Sequence, residues 1–172
     1  MSAQSSDLEA LDVPERFLEY AFAYLESAKI LCDHLVKNPS EETYARGNAC
    51  SFNARLAVEL FLKASILKKD PNLDLHHVIE RLRDEYVRHY TEPRFHWNLQ
   101  FTTRVIGGEA AANGQIVKEH LKKNPTDQRF RYPVNKQSEP WDGSGTFNAS
   151  NFISTLQKIE QDMIRLRQEI FK

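Results

Sequence analysis

Residues 54–67 restrict the fold of this chain more than any other stretch, because they are apolar on nearly every side when placed on a helix. A helix that is apolar all round is normally buried inside a protein. This helix nevertheless carries Glu59 and Lys63 in its middle, and Arg55 lies four residues before Glu59, so the three charges fall along one side. A buried carboxylate is costly unless it is paired or hydrogen-bonded. The pattern therefore predicts either an internal ladder of ion pairs or the floor of a polar groove.

The composition of the 172-residue chain is typical of one globular domain. Charged residues make up 27% of it, hydrophobic residues make up 41%, and the net charge is −1. A protein that coats nucleic acid or anionic membranes is usually more basic, so any nucleic-acid contact is expected to be local. No apolar run approaches the roughly 18 residues that span a bilayer, so no membrane partner is expected.

The two cysteines and the N-terminus predict a cytoplasmic protein. Cys32 and Cys50 fall among apolar residues in predicted helices. The first residues lack the basic and apolar regions of a secretory signal. Two such cysteines in a chain without a signal are typical of reduced core thiols rather than of a disulfide.

Capping signals and apolar periodicity predict three helices in the first half of the chain. Asp12 begins a capping box for a helix that runs to about Lys37. Ser40 is the expected N-cap of a second helix, which ends near Lys69, and Asp74 is the expected N-cap of a third. The apolar positions of the third helix are Leu75, Val78, Leu82 and Tyr86.

The second half of the chain carries weaker signals. A helix is expected to begin at Pro93, and another to cover residues 109–123. The prolines and glycines of residues 124–150 predict a long loop, and loops longer than about 15 residues are usually functional or disordered. The helix after Pro93 would carry Trp97, Phe101 and Val105.

The last helix, over residues 151–171, has the clearest pattern. Ser150 or Asn151 is its expected cap, and apolar residues recur at spacings of four and three. The resulting seam either closes the helical bundle or forms a dimer interface, and closure is the more frequent use. The seam residues are Phe152, Leu156, Ile159, Met163, Leu166 and Ile170.

Together these signals predict an all-α fold, an up-and-down bundle of four to five helices with an irregular loop before the last helix. Residues 1–11 are expected to form a disordered tail. Residues 12–172 are expected to form one domain with an insertion at about 91–150. Small residues along one side of the second helix place that helix at the centre of the bundle. They are Gly47, Cys50, Ala54, Ala57 and Ala64.

Arg83 and His89 are the candidate catalytic residues. Without a metal, a histidine can exchange a proton with an RNA hydroxyl, while an arginine stabilises the charge that develops on the phosphate. Six residues apart on a continuous helix, the two side chains point about 120° apart, so one chain would not bring them to one phosphate. A dimer, or a helix starting at Arg83, could do so. The alternative is a solvated polar face.

A second candidate is the run of residues 128–134, in which Arg129 and Arg131 alternate with aromatic residues. Arginine for phosphate beside an aromatic ring for base stacking is a plausible nucleotide contact. In the alternative interpretation, Tyr132 packs this loop on the bundle while the arginines meet water.

The sequence predicts no metal ion and no cofactor. His76 and His77 are adjacent and would point to different faces of a helix, which is poor geometry for a metal. No zinc, calcium, phosphate-loop or nucleophile-elbow motif occurs in the chain.

Four short motifs follow one another along the chain. They are Tyr24-x-x-Ser27-Ala28, Ala54-x-x-Ala57-Val58-Glu59-x-x-x-Lys63-Ala64, His76-His77-Val78-Ile79 and Arg131-Tyr132-Pro133. In this order they resemble the HEPN superfamily, helical domains named for higher-eukaryote and prokaryote nucleotide-binding proteins. The resemblance covers roughly residues 15–90 and 128–170. It implies a helical bundle that usually forms a homodimer, often in toxin–antitoxin, phage-defence or CRISPR-linked systems, and sometimes with a nucleotidyltransferase-type partner.

Catalytic members of that family are metal-independent RNases that use an arginine followed by a histidine after four to six residues. Arg83 and His89 satisfy this spacing, but the family motif normally lies near the start of the last long helix, which here contains no histidine. The favoured function is therefore a noncatalytic module that binds nucleotide, RNA or a partner protein. The alternatives are an RNase using Arg83 and His89, and a structural dimer or scaffold. The candidate ligand-binding residues are Glu59, Lys63, His76, Arg129, Arg131 and Tyr132.

Overall fold

The fold is entirely helical over the residues that the structure, a computed structural model, describes. These are residues 6–101, 131–135, 137–139 and 146–172. No strand occurs in these ranges, which confirms the all-α prediction. The helices are α1 (Ser6–Glu9), α2 (Val13–Lys37), α3 (Tyr44–Lys69), α4 (Ile79–His89) and α5 (Ala149–Ile170).

Helix α2 begins where the sequence predicts. The backbone N–H of Glu15 donates to the Asp12 carboxylate at 2.8 Å, and the Asp12 N–H donates back to Glu15 at 3.4 Å, so the capping box is confirmed. Two large aromatic residues of α2, Phe17 and Tyr24, remain partly exposed. The residues that α2 buries are Leu18, Ala21, Leu25, Ala28, Cys32 and Leu35.

Helix α3 is the central element of the described bundle and packs against α2, α4 and α5. The predicted stripe of small residues is buried throughout. Gly47 shows why small size matters, since a Cβ atom placed there would lie 2.3 Å from Cγ of Phe147. Cys50 and Cys32 are buried, unbridged thiols, as expected.

The predicted start of α3 is wrong. Residues Pro39–Glu41 form a 3-10 turn, and Thr43 rather than Ser40 caps the helix by accepting from the Arg46 N–H at 3.3 Å. The two acidic residues between Ser40 and Thr43 make contacts of their own. Glu41 pairs with the Arg46 and His34 side chains, while Glu42 accepts from the Ala149 N–H at 3.0 Å.

The predicted start of α4 is also wrong. The helix begins at Ile79 rather than after Asp74, so His76 and His77 precede it instead of opening it. The cause is a contact with α3. The guanidinium of Arg55 donates to the His77 carbonyl oxygen at 3.3 Å, which fixes this segment outside the helix.

Helix α5 begins at Ala149, and its cap is Asn148 rather than Ser150 or Asn151. The Asn148 side chain accepts from the Asn151 N–H at 2.9 Å. Within the chain, the apolar seam of α5 buries Leu156, Ile159, Met163 and Leu166. Closure of the bundle, the more frequent of the two predicted uses, is therefore confirmed for this seam.

The helix expected after Pro93 is reduced to one 3-10 turn, Pro93–Phe95. Beyond it the chain is irregular, and buried Phe95, Trp97 and Leu99 alternate with exposed residues. The guanidinium of Arg165 on α5 accounts for this conformation, because it binds the carbonyl oxygens of Arg94 and His96 at 2.6 and 2.8 Å. Val105, the helix expected over 109–123 and Arg129 lie outside the described residues.

We expect Gly47→Ala to destabilise the fold by about 1–3 kcal/mol, the usual effect of overpacking a filled core. Helix propensity alone predicts the opposite, since alanine is favoured over glycine by about 1 kcal/mol within a helix. Chemical denaturation distinguishes the two. Combining Gly47→Ala with Phe147→Leu should recover part of the lost stability, and a Gly47→Ala protein more stable than wild type would contradict the close contact.

Candidate functional site

Three charged residues form a buried ladder on α3, as one of the two sequence interpretations predicts. Arg55, Glu59 and Lys63 expose only 2%, 1% and 5% of their surface. Lys63 Nζ donates to Glu59 Oε1 at 2.8 Å, and Arg55 Nη1 donates to Glu59 Oε2 at 3.3 Å. Each carboxylate oxygen therefore has a cationic partner, which is what a buried carboxylate requires.

His77 is the fourth member of this group, and the sequence interpretation placed its neighbour His76 there instead. Nδ1 of His77 lies 2.8 Å from Glu59 Oε1 and 3.3 Å from Lys63 Nζ. Its side chain is nevertheless 72% exposed. Nδ1 of His76 is buried and has no hydrogen-bond partner among the described residues. We call Arg55, Glu59, Lys63 and His77 the His77 cluster.

The Glu59 carboxylate determines which nitrogen of His77 carries the proton. An ionised carboxylate only accepts hydrogen bonds, so the 2.8 Å contact requires an N–H at Nδ1. In the neutral ring this leaves the lone pair on Nε2. The result is an exposed histidine whose ring is held from behind by a buried anion, an arrangement suited to proton transfer or to anion binding.

The charges around Glu59 keep it ionised. Burial by itself would raise the pKa of Glu59, but the hydrogen bond and charge of Lys63, the bond from His77 and the charge of Arg55 lower the pKa below its ordinary value. The cluster thus contains two buried cations and one carboxylate, and protonation of His77 would add a third cation.

The Arg131 side chain packs against α3, the helix that carries the charged ladder. Its guanidinium stacks 5.2 Å from the ring centre of Phe52, which precedes Arg55 by three residues and Glu59 by seven. Seven residues correspond to about 10 Å along a helix axis. The aromatic ring beside Arg131 therefore belongs to Phe52 of α3. Tyr132, the next residue in sequence, is 55% exposed.

The structure does not bring Arg83 and His89 together within one chain. Helix α4 is continuous from Ile79 to His89, so the 120° separation applies. Arg83 pairs with Asp84 at 3.2 Å and faces a cleft that His89 does not line. Their catalytic role stays a prediction, and it would need a second chain.

The described residues contain no group of three or more histidines, cysteines or acids placed to hold a metal ion. None of their helices is both long and apolar enough to cross a bilayer. Comparison with protein-family models, curated proteins and solved structures gives no match to this chain.

We expect Glu59→Gln to destabilise the protein by about 3–5 kcal/mol, because it leaves Arg55 and Lys63 buried without their anion. His77→Ala should cost less, since its side chain is mostly exposed. Urea unfolding measures both free energies, with Glu26→Gln on the exposed face of α2 as the matched control.

The pH dependence tests the same interaction. The pKa of Glu59 is lower in the folded chain than its ordinary value of 4.5, so its stabilisation is present above that value and is lost as pH falls through the folded-state pKa. The stability difference between wild type and Glu59→Gln should therefore shrink on acidification. A difference that is small at neutral pH or does not change with pH would contradict the charged ladder.

Proposed function

We propose that this protein is a HEPN-like binding module whose surface around His77 and Arg131 binds the phosphates of RNA or of a nucleotide. The observation that carries the proposal is the contact of exposed His77 with buried Glu59 and Lys63. These residues are separated in sequence, and each belongs to a motif on which the family resemblance rests.

The local charge supports an anionic ligand. Two cations and one carboxylate in the cluster leave an excess of positive charge, and Arg131 adds to it from its position against Phe52 of α3. The net charge of the whole chain is only −1, so such a patch can attract phosphate without making the protein a general nucleic-acid coat.

The shape of the surface favours a strand of RNA over an enclosed small molecule. The His77 side chain is 72% exposed, so its ring faces solvent. A phosphate backbone that runs across an open surface needs no enclosing pocket, whereas small molecules usually bury most of their surface in one.

The biological setting follows from the resemblance and belongs to the proposal. It comprises a toxin–antitoxin or phage-defence system, a homodimer and a nucleotidyltransferase-type partner. The scaffold alternative depended on the apolar seam of α5 being available to a second subunit. That seam is buried within the chain. A dimer would use another face, such as the apolar groove of about 350 Å³ between α2 and α3 that Tyr20 and Leu60 help to line.

We expect Arg131→Ala and His77→Ala each to weaken binding of a short single-stranded RNA about tenfold, the effect of losing roughly 1.4 kcal/mol. Arg131→Ala should also reduce the salt dependence of binding, because one phosphate contact is lost. Fluorescence anisotropy at several salt concentrations measures both effects.

Arg88→Ala and His34→Ala are the matched controls, since both residues are exposed and lie outside the His77 cluster. They should bind RNA as wild type does. Equal losses in all four variants would indicate nonspecific attraction, and no RNA or nucleotide binding by wild type would refute the proposed function.

A metal-independent RNase is the second candidate function. The contact between Glu59 and His77 supports a catalytic site at His77 rather than at Arg83 and His89. Nε2 of His77 could take the proton of a 2′-hydroxyl, whose oxygen then attacks the adjacent phosphorus. The bond from phosphorus to the 5′-oxygen breaks, and that oxygen takes a proton from water. Cleavage in EDTA that His77→Ala abolishes and His89→Ala leaves intact would assign it to this cluster. The reverse result would assign it to the α4 pair.

A further inference from the structure

Helix α2 carries a second seam beside the one that it buries in the bundle. From Phe17 onward, each residue of this second seam stands one position before a buried residue, so it lies about 100° round the helix from it. The spacing is four and three throughout, which is the pattern of a helix that packs along another helix. We call this set the outer seam, and it consists of Val13, Phe17, Tyr20, Tyr24, Ser27, Leu31 and His34.

The outer seam lies at the surface of the described chain. Val13 and Tyr20 are 53% and 47% exposed, and the other large apolar residues of the seam are half-buried. Along its N-terminal half runs the groove between α2 and α3, whose other wall is formed by Leu56 and Leu60. An exposed apolar surface of this kind usually marks a contact with another protein.

The two halves of the outer seam complement each other in size. The N-terminal half carries three aromatic rings, whereas the C-terminal half begins with the small residue Ser27. A two-fold contact needs a surface that complements itself, in which residue i meets residue j and j meets i. With α2 of a second copy lying antiparallel, and the axis between Ala23 and Tyr24, Tyr20 of each copy would meet Ser27 of the other.

The charges near the outer seam favour a second copy over a strongly charged partner. No residue of the seam is acidic, and Glu19 and Glu26 of α2 point roughly 110–130° away from it. Arg16 lines the groove, but the two copies of Arg16 would lie about 22 Å apart along the helix axis. Two copies therefore bring no like charges together, whereas a strongly basic or acidic partner would find no counter-charge along the seam.

The dimensions of this surface suit a dimer of moderate affinity. The outer seam extends for about 31 Å from Val13 to His34, by the rise of a helix. The packed pair of α2 and α3 is roughly 20 Å across, at the usual distance between helix axes. The face therefore offers about 600 Å² per copy, or about 1,200 Å² in total, the lower end of the range for specific protein interfaces.

We propose that the outer seam is the interface of a two-fold homodimer, in which α2 of a second copy lies antiparallel to α2 and Tyr20 packs on Ser27 of the other copy. This inference rests on the homodimer of the proposed function and gives it a defined interface. The residues of the His77 cluster do not belong to the seam, so dimerisation and RNA binding can be measured separately.

Sedimentation equilibrium of the full chain at tens of micromolar tests the interface. Wild type should be dimeric. Tyr20→Asp should raise the dissociation constant of the dimer about a hundredfold or more, because each dimer contains the substitution twice. Ile164→Asp is the matched control, since Ile164 is 45% exposed on α5, and it should dimerise as wild type does. Thermal melting by circular dichroism checks that both variants are folded. A monomeric wild type would overturn the proposal, and so would a dimer that Tyr20→Asp leaves intact.

Distances between spin labels test the antiparallel arrangement. Cys32 and Cys50 are buried, so a label attaches to a cysteine introduced at an exposed position. Labels on Ala23→Cys, next to the axis, should lie roughly 20 Å apart, since packed helix axes are about 10 Å apart and each label adds length. Labels on Lys37→Cys should be separated by about 40 Å or more along the helices. Similar distances at both positions would contradict the antiparallel pairing. RNA binding by Tyr20→Asp should match wild type, so this test and that of the proposed function can fail separately.

Discussion

The ionised carboxylate of Glu59, buried in the most apolar helix of the chain, is the interaction on which the rest of the structure depends. It is tolerated because Arg55, Lys63 and His77 surround it with donors from two elements. Two of these donors lie on α3 itself, and the third comes from the segment before α4. The network therefore satisfies a charge and also joins two parts of the fold.

This junction explains how α4 is placed. Arg55 contacts both the Glu59 carboxylate and the His77 backbone, so the chain reaches α4 in a fixed, non-helical conformation. From there α4 buries Ile79, Leu82 and Tyr86 against the core. Tyr86 stacks on Tyr90 within the core, while His77 stays exposed just before α4 begins. The position of the His77 cluster thus follows from the way α4 is attached to α3.

Features encoded by neighbouring residues could be predicted from the sequence. The capping box at Asp12, the ends of α2 and α3, the small-residue stripe and the ion ladder all depend on spacings within one helix. The buried seam of α5 follows from the same periodicity, and its use within the bundle was the more frequent alternative.

Features set by distant contacts could not be predicted in this way. The start of α4 depends on Arg55. Thr43 rather than Ser40 caps α3, and the residues between them bind distant elements, Glu41 the His34 side chain of α2 and Glu42 the first N–H of α5. That His77 rather than His76 contacts Glu59 likewise depends on how the segment before α4 packs against α3. One missed signal was local: Phe95, Trp97 and Leu99 alternate with polar residues, a period of two that argues against a helix.

The protonation of the His77 ring is the most direct test of the central claim that Glu59 holds this exposed histidine. Long-range proton–nitrogen NMR on the full chain, at a pH where the ring is neutral, identifies the nitrogen that carries the proton. The account predicts a proton on Nδ1, donated to Glu59 at 2.8 Å. A proton on Nε2 would mean that Lys63 donates to Nδ1 instead, and would contradict both the carboxylate–histidine contact and the site built on it.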